Sequence, residues 1–404
     1  MPKKKEKEEI KFADINQSID PKVFKETALV FFRFVPDPRV EDNCYYDLIE
    51  LIIVMLLAIF CGANNIKDIN RYSDQNHQLW KELFRLDFTP PSYDTFWWLL
   101  TRMCPKAFSK AFYDWVKDER IGTLEGTQIN VDGKTLRGAR KKKGNAVHIV
   151  HAWAHEKGIL IGQRKTDAKS NEITAIPALL KEIDIHGATI SVDAAGCQKK
   201  TIETIVDGGG EYFLAVKDNQ PKLYNEMKSL FDDAHADDFE YVENADRHNS
   251  VEKGHGRIVK RSIATIGDVT ELSMAEEWKN LQTLIEITTK TISKGQVTEE
   301  KRYYISSLFD SAKKFGERAR DHWSVESTLH WTLDVVFKED ESRANTMHSA
   351  VNLGTLRRAV LNVIKSDPLF KKMGPAEVRG NAKWNKDGSF ERKFIDIIFS
   401  GMLL

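Results

Sequence analysis

The chain has 404 residues, with 60 Lys+Arg against 60 Asp+Glu, no formal net charge, 41% hydrophobic and 30% charged residues. At roughly 150 residues per domain this is two to three domains of ordinary globular composition, which excludes a wholly disordered chain, a collagen-like repeat and a small disulfide scaffold. Zero net charge supplies no global argument for a nucleic-acid partner, so any such argument has to come from local charge. The four cysteines, Cys44, Cys61, Cys104 and Cys197, form no CxxC pair and no zinc spacing. They read as reduced core residues of a cytosolic protein.

The start, MPKKKEKEEI, is charged with no apolar stretch behind it, so no signal peptide is expected. Residues 1–20 read as frayed. From about 21 to 120 only helices are predicted. Tyr45 to Cys61 is one, stopped by Gly62 and an Asn pair. Its apolar run Leu51 to Cys61 spans 11 residues. A bilayer span needs about 20, so this is a buried core helix and no membrane is implied. Ile66 to Tyr72 and Leu79 to Phe84 are shorter pieces. Pro90-Pro91-Ser92 then offers Ser92 as N-cap for a helix through Met103, and Pro105 to Val116 follows.

At Gly122 the pattern changes. Gln128 to Asp132, Ala146 to His155 and Gly158 to Arg164 read as strands, the last two as a hairpin. Asn171 to Ile183 is helical, Ala188 to Asp193 a buried strand, the stretch through Val206 a helix and Glu211 to Lys217 a strand. The order β-β-β-α-β-α-β predicts an α/β domain with a mixed sheet. Residues 218–300 read as a β-rich insertion behind an acidic stretch at 226–243, with strands Arg257 to Ile266 and Leu281 to Ile292. Lys301 to Ser306 returns to strand character. A long helix is expected from Ala312 to Phe337 and another from Ala350 to Lys365. Residues 365–394 hold 8 Lys/Arg and 4 Asp/Glu, and the end reads as a basic tail.

Two aspartates close short apolar strands: Asp132 in INVDGKTLRG and Asp193 in ISVDAAGCQ. Carboxylates at strand ends, followed by small residues, can present oxygen ligands to divalent ions and leave room for a phosphate backbone. Aspartates also end strands simply because they favour turns. Glu326 lies inside the long helix, where His322, Glu326, His330 and Asp334 are spaced by four and share one face. On the residues alone that face reads as structural or solvated. A zinc site is disfavoured there, since no HExxH is present. Lys134, Arg137, Arg140 and Lys141 to Lys143 follow the first aspartate. Cations beside a metal carboxylate suit a phosphate backbone, although the Lys141 to Lys143 run alone reads as a solvated loop. Lys199, Lys200, Lys217 and Lys222 extend the same expected surface.

The strings INVDGKTLRGA, KSNEITAIPALL, SVDAAGCQKKTIETIVDGGGEYFLAVKDNQ, KRYYISSL and HWSVESTLHWTLDVVFKEDESR resemble the bacterial insertion-sequence transposases of the H-repeat-associated (ISAs-type) family. FVPDPR, LLAIFCGANNIKDI and PSYDTF resemble that family's N-terminal domain. The likeness covers about residues 30–365, in the family's order. It implies a helical N-terminal domain at 1–120, a ribonuclease-H-like DDE catalytic domain at 121–365 with its β-rich insertion at 218–300, and the tail at 366–404.

Matched position by position, the resemblance places Asp132, Asp193 and Glu326 as the catalytic, metal-binding triad. Ala195 and Val325 stand where the family often has Met and Ile. His322 and Leu333 occupy the places of an Arg and a Lys found around the glutamate in the wider class, with Arg320 and Lys338 as nearby substitutes. The implied cofactor is Mg2+ or Mn2+, two ions ~3.5–4 Å apart. The implied partner is double-stranded DNA, both transposon ends and target, met by Lys134, Arg137, Lys217, Arg320, His322 and Trp323, with a homodimer in the DNA complex. The implied place is the bacterial cytoplasm, at the nucleoid when bound. The implied reaction is cleavage at insertion-sequence ends followed by strand transfer. The alternatives are a hydrolytic nuclease of the same fold and a catalytically silent, transposase-derived DNA-binding protein. Residues 66–103 also admit a helix-turn-helix-like reading, with Tyr93 and Arg102 on the recognition helix and fragment 1–120 binding end DNA. Against it stands a plain helical bundle with Phe96, Leu99 and Leu100 in its core.

Overall fold

A computed structural model describes residues 32–40, 44–85, 87–116, 122–139, 146–166, 172–254, 256–385 and 387–399. The start, residues 1–20, and the cations Arg140 to Lys143 lie outside the described residues. The chain divides into two compact units, Met1–Arg120 with Val336–Leu404, and Ile121–Val335.

Helices α1 (Leu48–Phe60), α2 (Ile66–Gln75), α3 (His77–Leu83), α4 (Tyr93–Arg102) and α5 (Pro105–Val116) open the first unit. Helix α1 is buried from Ile49 to Phe60, as its unbroken apolar sequence requires. Ser92 caps α4, its hydroxyl accepting from the Thr95 amide at 3.3 Å. Phe96, Leu99 and Leu100 are buried, and the Arg102 guanidinium lies 4.7 Å from the Trp98 ring.

The second unit follows with β1 (Gln128–Leu136), β2 (Val147–Ala154), β3 (Ile159–Thr166), α6 (Glu172–Leu180), β4 (Thr189–Val192), α7 (Lys199–Asp207) and β5 (Glu211–Val216). Then come α8 (Pro221–Ala236), β6 (Ala245–Gly254), β7 (Arg257–Ile266), β8 (Thr283–Ser293), β9 (Gln296–Ser306) and α9 (Ala312–Val325). The nine strands among the described residues form one mixed sheet, ordered β3-β2-β1-β4-β5-β9-β8-β7-β6. β1, β4 and β5 run parallel, and the remaining pairs are antiparallel.

Three features here go beyond the sequence reading. The insertion opens with helix α8, whose buried Leu223, Met227, Phe231 and Ala234 follow helical spacing beneath the acidic surface. The insertion strands extend the main sheet, because β9 pairs with β5. Strand β6 was not expected at all: its residues are mostly exposed, so it lacks an apolar signature.

Helices α10 (Ser349–Ser366), α11 (Pro368–Met373), α12 (Pro375–Trp384) and α13 (Ser389–Phe399) end the described chain. They occupy the stretch that the sequence reads as a basic tail. Phe60 stacks on Phe394 at 4.2 Å and lies 5.5 Å from Phe370, and Trp115 Nε1 donates to the Ile398 carbonyl at 3.1 Å. The Arg379 guanidinium donates to the Ile59 and Ala63 carbonyls at 3.0 Å each. The charge count hid an apolar face, Phe370, Val378, Phe394 and Ile395, that completes the burial of α1. A fragment ending at 120 therefore lacks part of its own core. Of the four cysteines, all unbridged, only Cys61 and Cys197 are buried; Cys104 is exposed. Among the described residues no helix is long and apolar enough to cross a membrane.

Candidate active site

Strand β1 carries two chemistries on its two faces, as a period of two dictates. Ile129 and Val131 are buried on one. Gln128, Asn130, Asp132 and Lys134 share the other, and each meets α9 or the helical turns that continue it. Gln128 Nε2 donates to the Arg318 carbonyl at 3.0 Å and Asn130 Nδ2 to the Asp321 carbonyl at 2.8 Å. His330 Nδ1 lies 3.7 Å from Asp132 Oδ2, and Lys134 Nζ donates to Asp334 Oδ2 at 2.6 Å. This polar row sets where the helix lies over the sheet. The first half of α9 is held by an apolar cluster that includes Phe213, Ile263, Tyr304 and Phe315.

The expected single helix from 312 to 337 is α-helical only to Val325. It continues as two π turns, Glu326–His330 and Thr332–Val336. Thr328 and Thr332 hydroxyls donate to the Ser324 and Thr328 carbonyls at 2.5 Å each, competition with the backbone ladder that bends helices. π turns recur at functional sites.

Contrary to the expectation that Asp132 closes its strand, β1 runs on to Leu136 against β2. Its pairing with β4 does end there: Val131 is level with Val192, so Asp132 and Asp193 stand side by side just past the last parallel pair. Asp132 accepts from the Gly133 amide at 2.8 Å and is half-buried. Burial pushes its carboxyl up to about 7; the Gly133 hydrogen bond opposes this, and the charges of Asp193, Glu326 and Glu172 add to it. Asp193 is exposed and accepts from the Gly196 amide at 3.3 Å. Glu326 opens the first π turn, exposed, with Oε2 3.3 Å from His330 Nδ1.

Asp132, Glu326 and His330 each offer a ligand atom within 4.8 Å of the others. His330 is the residue the sequence reading left as structural. Its signal was present in the four-residue spacing from Glu326, but nothing in one sequence told that face from a solvated one. Gly133 is tightly constrained: a Cβ there would sit 2.2 Å from Glu172 Oε1 and 2.6 Å from His148 Nε2, a buried pair in contact with each other.

The expected DNA-contacting residues divide. Arg137, Lys217, Arg320 and Trp323 are exposed. Arg320 pairs with Glu252 at 2.7 Å, and the Arg302 guanidinium lies 4.2 Å over the Trp323 ring. Lys134 is buried against Asp334, and His322 bonds Ser191 Oγ at 2.9 Å. Both face the interior of the unit, because their strand and helix positions point at each other.

Burial, then the charge of Arg302, holds His322 down at about 4. An unfolded imidazole titrates near 6.5. The unfolded chain therefore binds the proton first on acidification. The stability contributed by neutral His322 is complete above about pH 6.5 and is lost as pH falls toward 4. His322→Gln is expected to flatten the fall of Tm across that window, and an unchanged slope in the variant would refute this.

Hard carboxylate oxygens suit Mg2+ or Mn2+, and an imidazole nitrogen suits Mn2+ better. Burial raises the Asp132 carboxyl most, and the nearby charges of Asp193, Glu326 and Glu172 that add to this are negative charge a divalent cation would offset, so the residues fit such an ion.

The description "Transposase DDE domain" matches residues 117–363, and "DDE_Tnp_1-associated" matches residues 29–116. The chain is 33% identical over 345 residues to the "H repeat-associated putative transposase YhhI" of Escherichia coli (strain K12), covering 83% of this chain and 90% of that protein. It is 36% identical over 284 residues to the "Uncharacterized protein in dhlA 3'region" of Xanthobacter autotrophicus, covering 69% and 93%. Among solved structures, a piggyBac transposase synaptic complex with hairpin DNA is similar at a TM-score of 0.45 and 11% identity, over 94% of this chain and 82% of that one. With both family domains matched in order and relatives of this kind over most of the chain, this chain belongs to the DDE transposase family, H-repeat-associated members included.

Proposed function

We propose that this chain cuts DNA at insertion-sequence ends and joins the freed 3′ ends to target DNA, using Asp132, Asp193 and Glu326 on a ribonuclease-H-like unit. The observation that carries the reading is the approach of Glu326 and His330 to Asp132, with Asp193 next to the end of the neighbouring strand. The strand order β3-β2-β1-β4-β5, with β1, β4 and β5 parallel, supports the ribonuclease-H-like assignment.

Asp132, Asp193 and Glu326 would hold two Mg2+ or Mn2+ ions, which lower the pKa of an attacking water and offset charge on the phosphate. The chain's own part is placement. The Gly133 and Gly196 amides fix the carboxylates of Asp132 and Asp193, and His330 lies between Asp132 and Glu326. Exposed Arg137, Lys217, Arg320 and Trp323 are the side chains we assign to DNA, with two copies of the chain pairing two ends in the bacterial cytoplasm.

End-cleavage and strand-transfer assays in Mg2+ test this. Cleavage with joining of pre-cleaved ends supports it, cleavage without joining makes the chain a hydrolytic nuclease, and end binding without either makes it silent. Magnesium should also raise the Tm of the wild type, by an amount equivalent to about 2.7 kcal/mol at a hundredfold excess over Kd, and of Glu326→Gln much less. An equal shift in both would remove Glu326 from the metal site.

A further inference from the structure

His330 occupies the last position of the π turn that Glu326 opens, with its side chain only 6% exposed. Leu329 and Leu333 are fully buried on the same turns, and the His330 ring meets that of buried His151 edge-on at 6.0 Å. The imidazole is thus held in place, while the Glu326 side chain is 66% exposed. Nδ1 of His330 faces two carboxylates at once, Glu326 Oε2 at 3.3 Å and Asp132 Oδ2 at 3.7 Å. Both separations exceed an ordinary N–H···O bond of about 2.7–3.2 Å. They match two donors on one ion. Ligands ~2.1 Å from a shared cation stand ~3.0 Å apart at right angles and ~4.2 Å apart when opposite. All three donor atoms lie within 4.8 Å of one another, and exposed Glu326 can turn to close the set.

Among the described residues, neither carboxylate is paired with a lysine or an arginine. Two neighbouring carboxylates without a protein cation leave a metal ion as the partner. A nitrogen in the same set changes which ion fits. Mg2+ takes an all-oxygen shell, whereas first-row transition metals accept imidazole as well. We propose that His330 Nδ1 is a direct ligand, with Asp132 Oδ2 and Glu326 Oε2, of one of the two ions, and that this seat favours Mn2+ over Mg2+. The proposal rests on the reading that Asp132 and Glu326 hold a divalent ion, and adds a ligand that a set of carboxylates alone does not contain. All three donors come from the chain, so the seat fills without DNA.

The test is Mn2+ binding by the full chain without DNA, followed by electron paramagnetic resonance. The spin echo of the bound ion should carry modulation from a directly coordinated nitrogen, and Mn2+ should bind more tightly than Mg2+ in competition. His330→Ala should remove that modulation and weaken Mn2+ binding by roughly tenfold or more, since losing even an outer partner of a metal ligand costs that much. Mg2+ affinity should fall less. His330→Asp, which returns an oxygen donor, should recover Mg2+ binding without the nitrogen modulation. Absence of bound Mn2+, or a wild-type echo without coordinated nitrogen, overturns the proposal and needs no variant to fold. Nitrogen modulation or Mn2+ affinity that survives in a folded His330→Ala chain overturns it as well, and leaves His330 to orient Glu326. The two readings fail separately. A chain that binds Mn2+ through nitrogen yet neither cleaves nor joins DNA keeps this ligand and loses the proposed reaction. A chain that cleaves and joins DNA with no nitrogen on its Mn2+ keeps the reaction and loses the ligand.

Discussion

Asp132→Asn is expected to abolish end cleavage, a loss of at least about a thousandfold on the scale of removing a principal charge-stabilising group, while leaving end binding largely intact. Affinity for DNA comes mainly from phosphate contacts distributed elsewhere. The same change should not lower Tm at pH 8. In the folded chain, burial and the neighbouring carboxylates push Asp132 up to about 7, against about 3.9 unfolded. A group raised in this way costs stability as pH climbs through that window, so replacing it with a neutral isostere removes a cost. Loss of cleavage with a maintained or raised Tm marks a functional residue. Loss of both would mean that Asp132 serves the fold. Asp193→Ala and Glu326→Gln should match it in cleavage, and retained cleavage in Asp193→Ala would refute the assigned triad.

Glu339→Ala is expected to destabilise the helical unit by about 3–5 kcal/mol. Glu339 is fully buried and takes a two-pronged ion pair from Arg358, at 2.8 and 3.0 Å, with Arg357 at 3.9 Å. Arg357 also donates to the Asn64 carbonyl at 2.8 Å. Removing the carboxylate strands two buried guanidinium groups, which costs far more than the pair itself contributes. Gly354 belongs to the same arrangement: a Cβ there would meet Arg358 Nη1 at 2.5 Å. Denaturant unfolding measures the effect, and a change below about 1 kcal/mol, as for a surface pair, would show that water reaches the cluster.

The two effects differ in how far the sequence announced them. Asp132 and Asp193 were legible because short apolar runs, INV and ISV, lead directly into carboxylates, and because the surrounding strings resemble a known family. Helices α1, α4 and α5 and strand β7 were legible because their periodicity, caps and turn residues agree. Glu339 was not, since an acid in KEDES reads as solvated until the two arginines of α10 enclose it. His330 and Asp334 were on the page as one helical face, yet whether that face meets water or the polar row of β1 is a fact about packing.

By itself the sequence determined most local elements outside the insertion and the C-terminal stretch, the order β1 to β5 with their helices in the α/β unit, and the family. Those follow from hydrophobic period and from motifs, which are short-range properties of a chain. Tertiary structure alone decided that the insertion strands continue the main sheet, that the basic tail folds as helices on α1, and that the helix bearing Glu326 loosens into π turns above Asp132. Each of these depends on pairing or burial between segments far apart in the chain. A lone Phe394 or Thr328 carries no record of the surface it will meet.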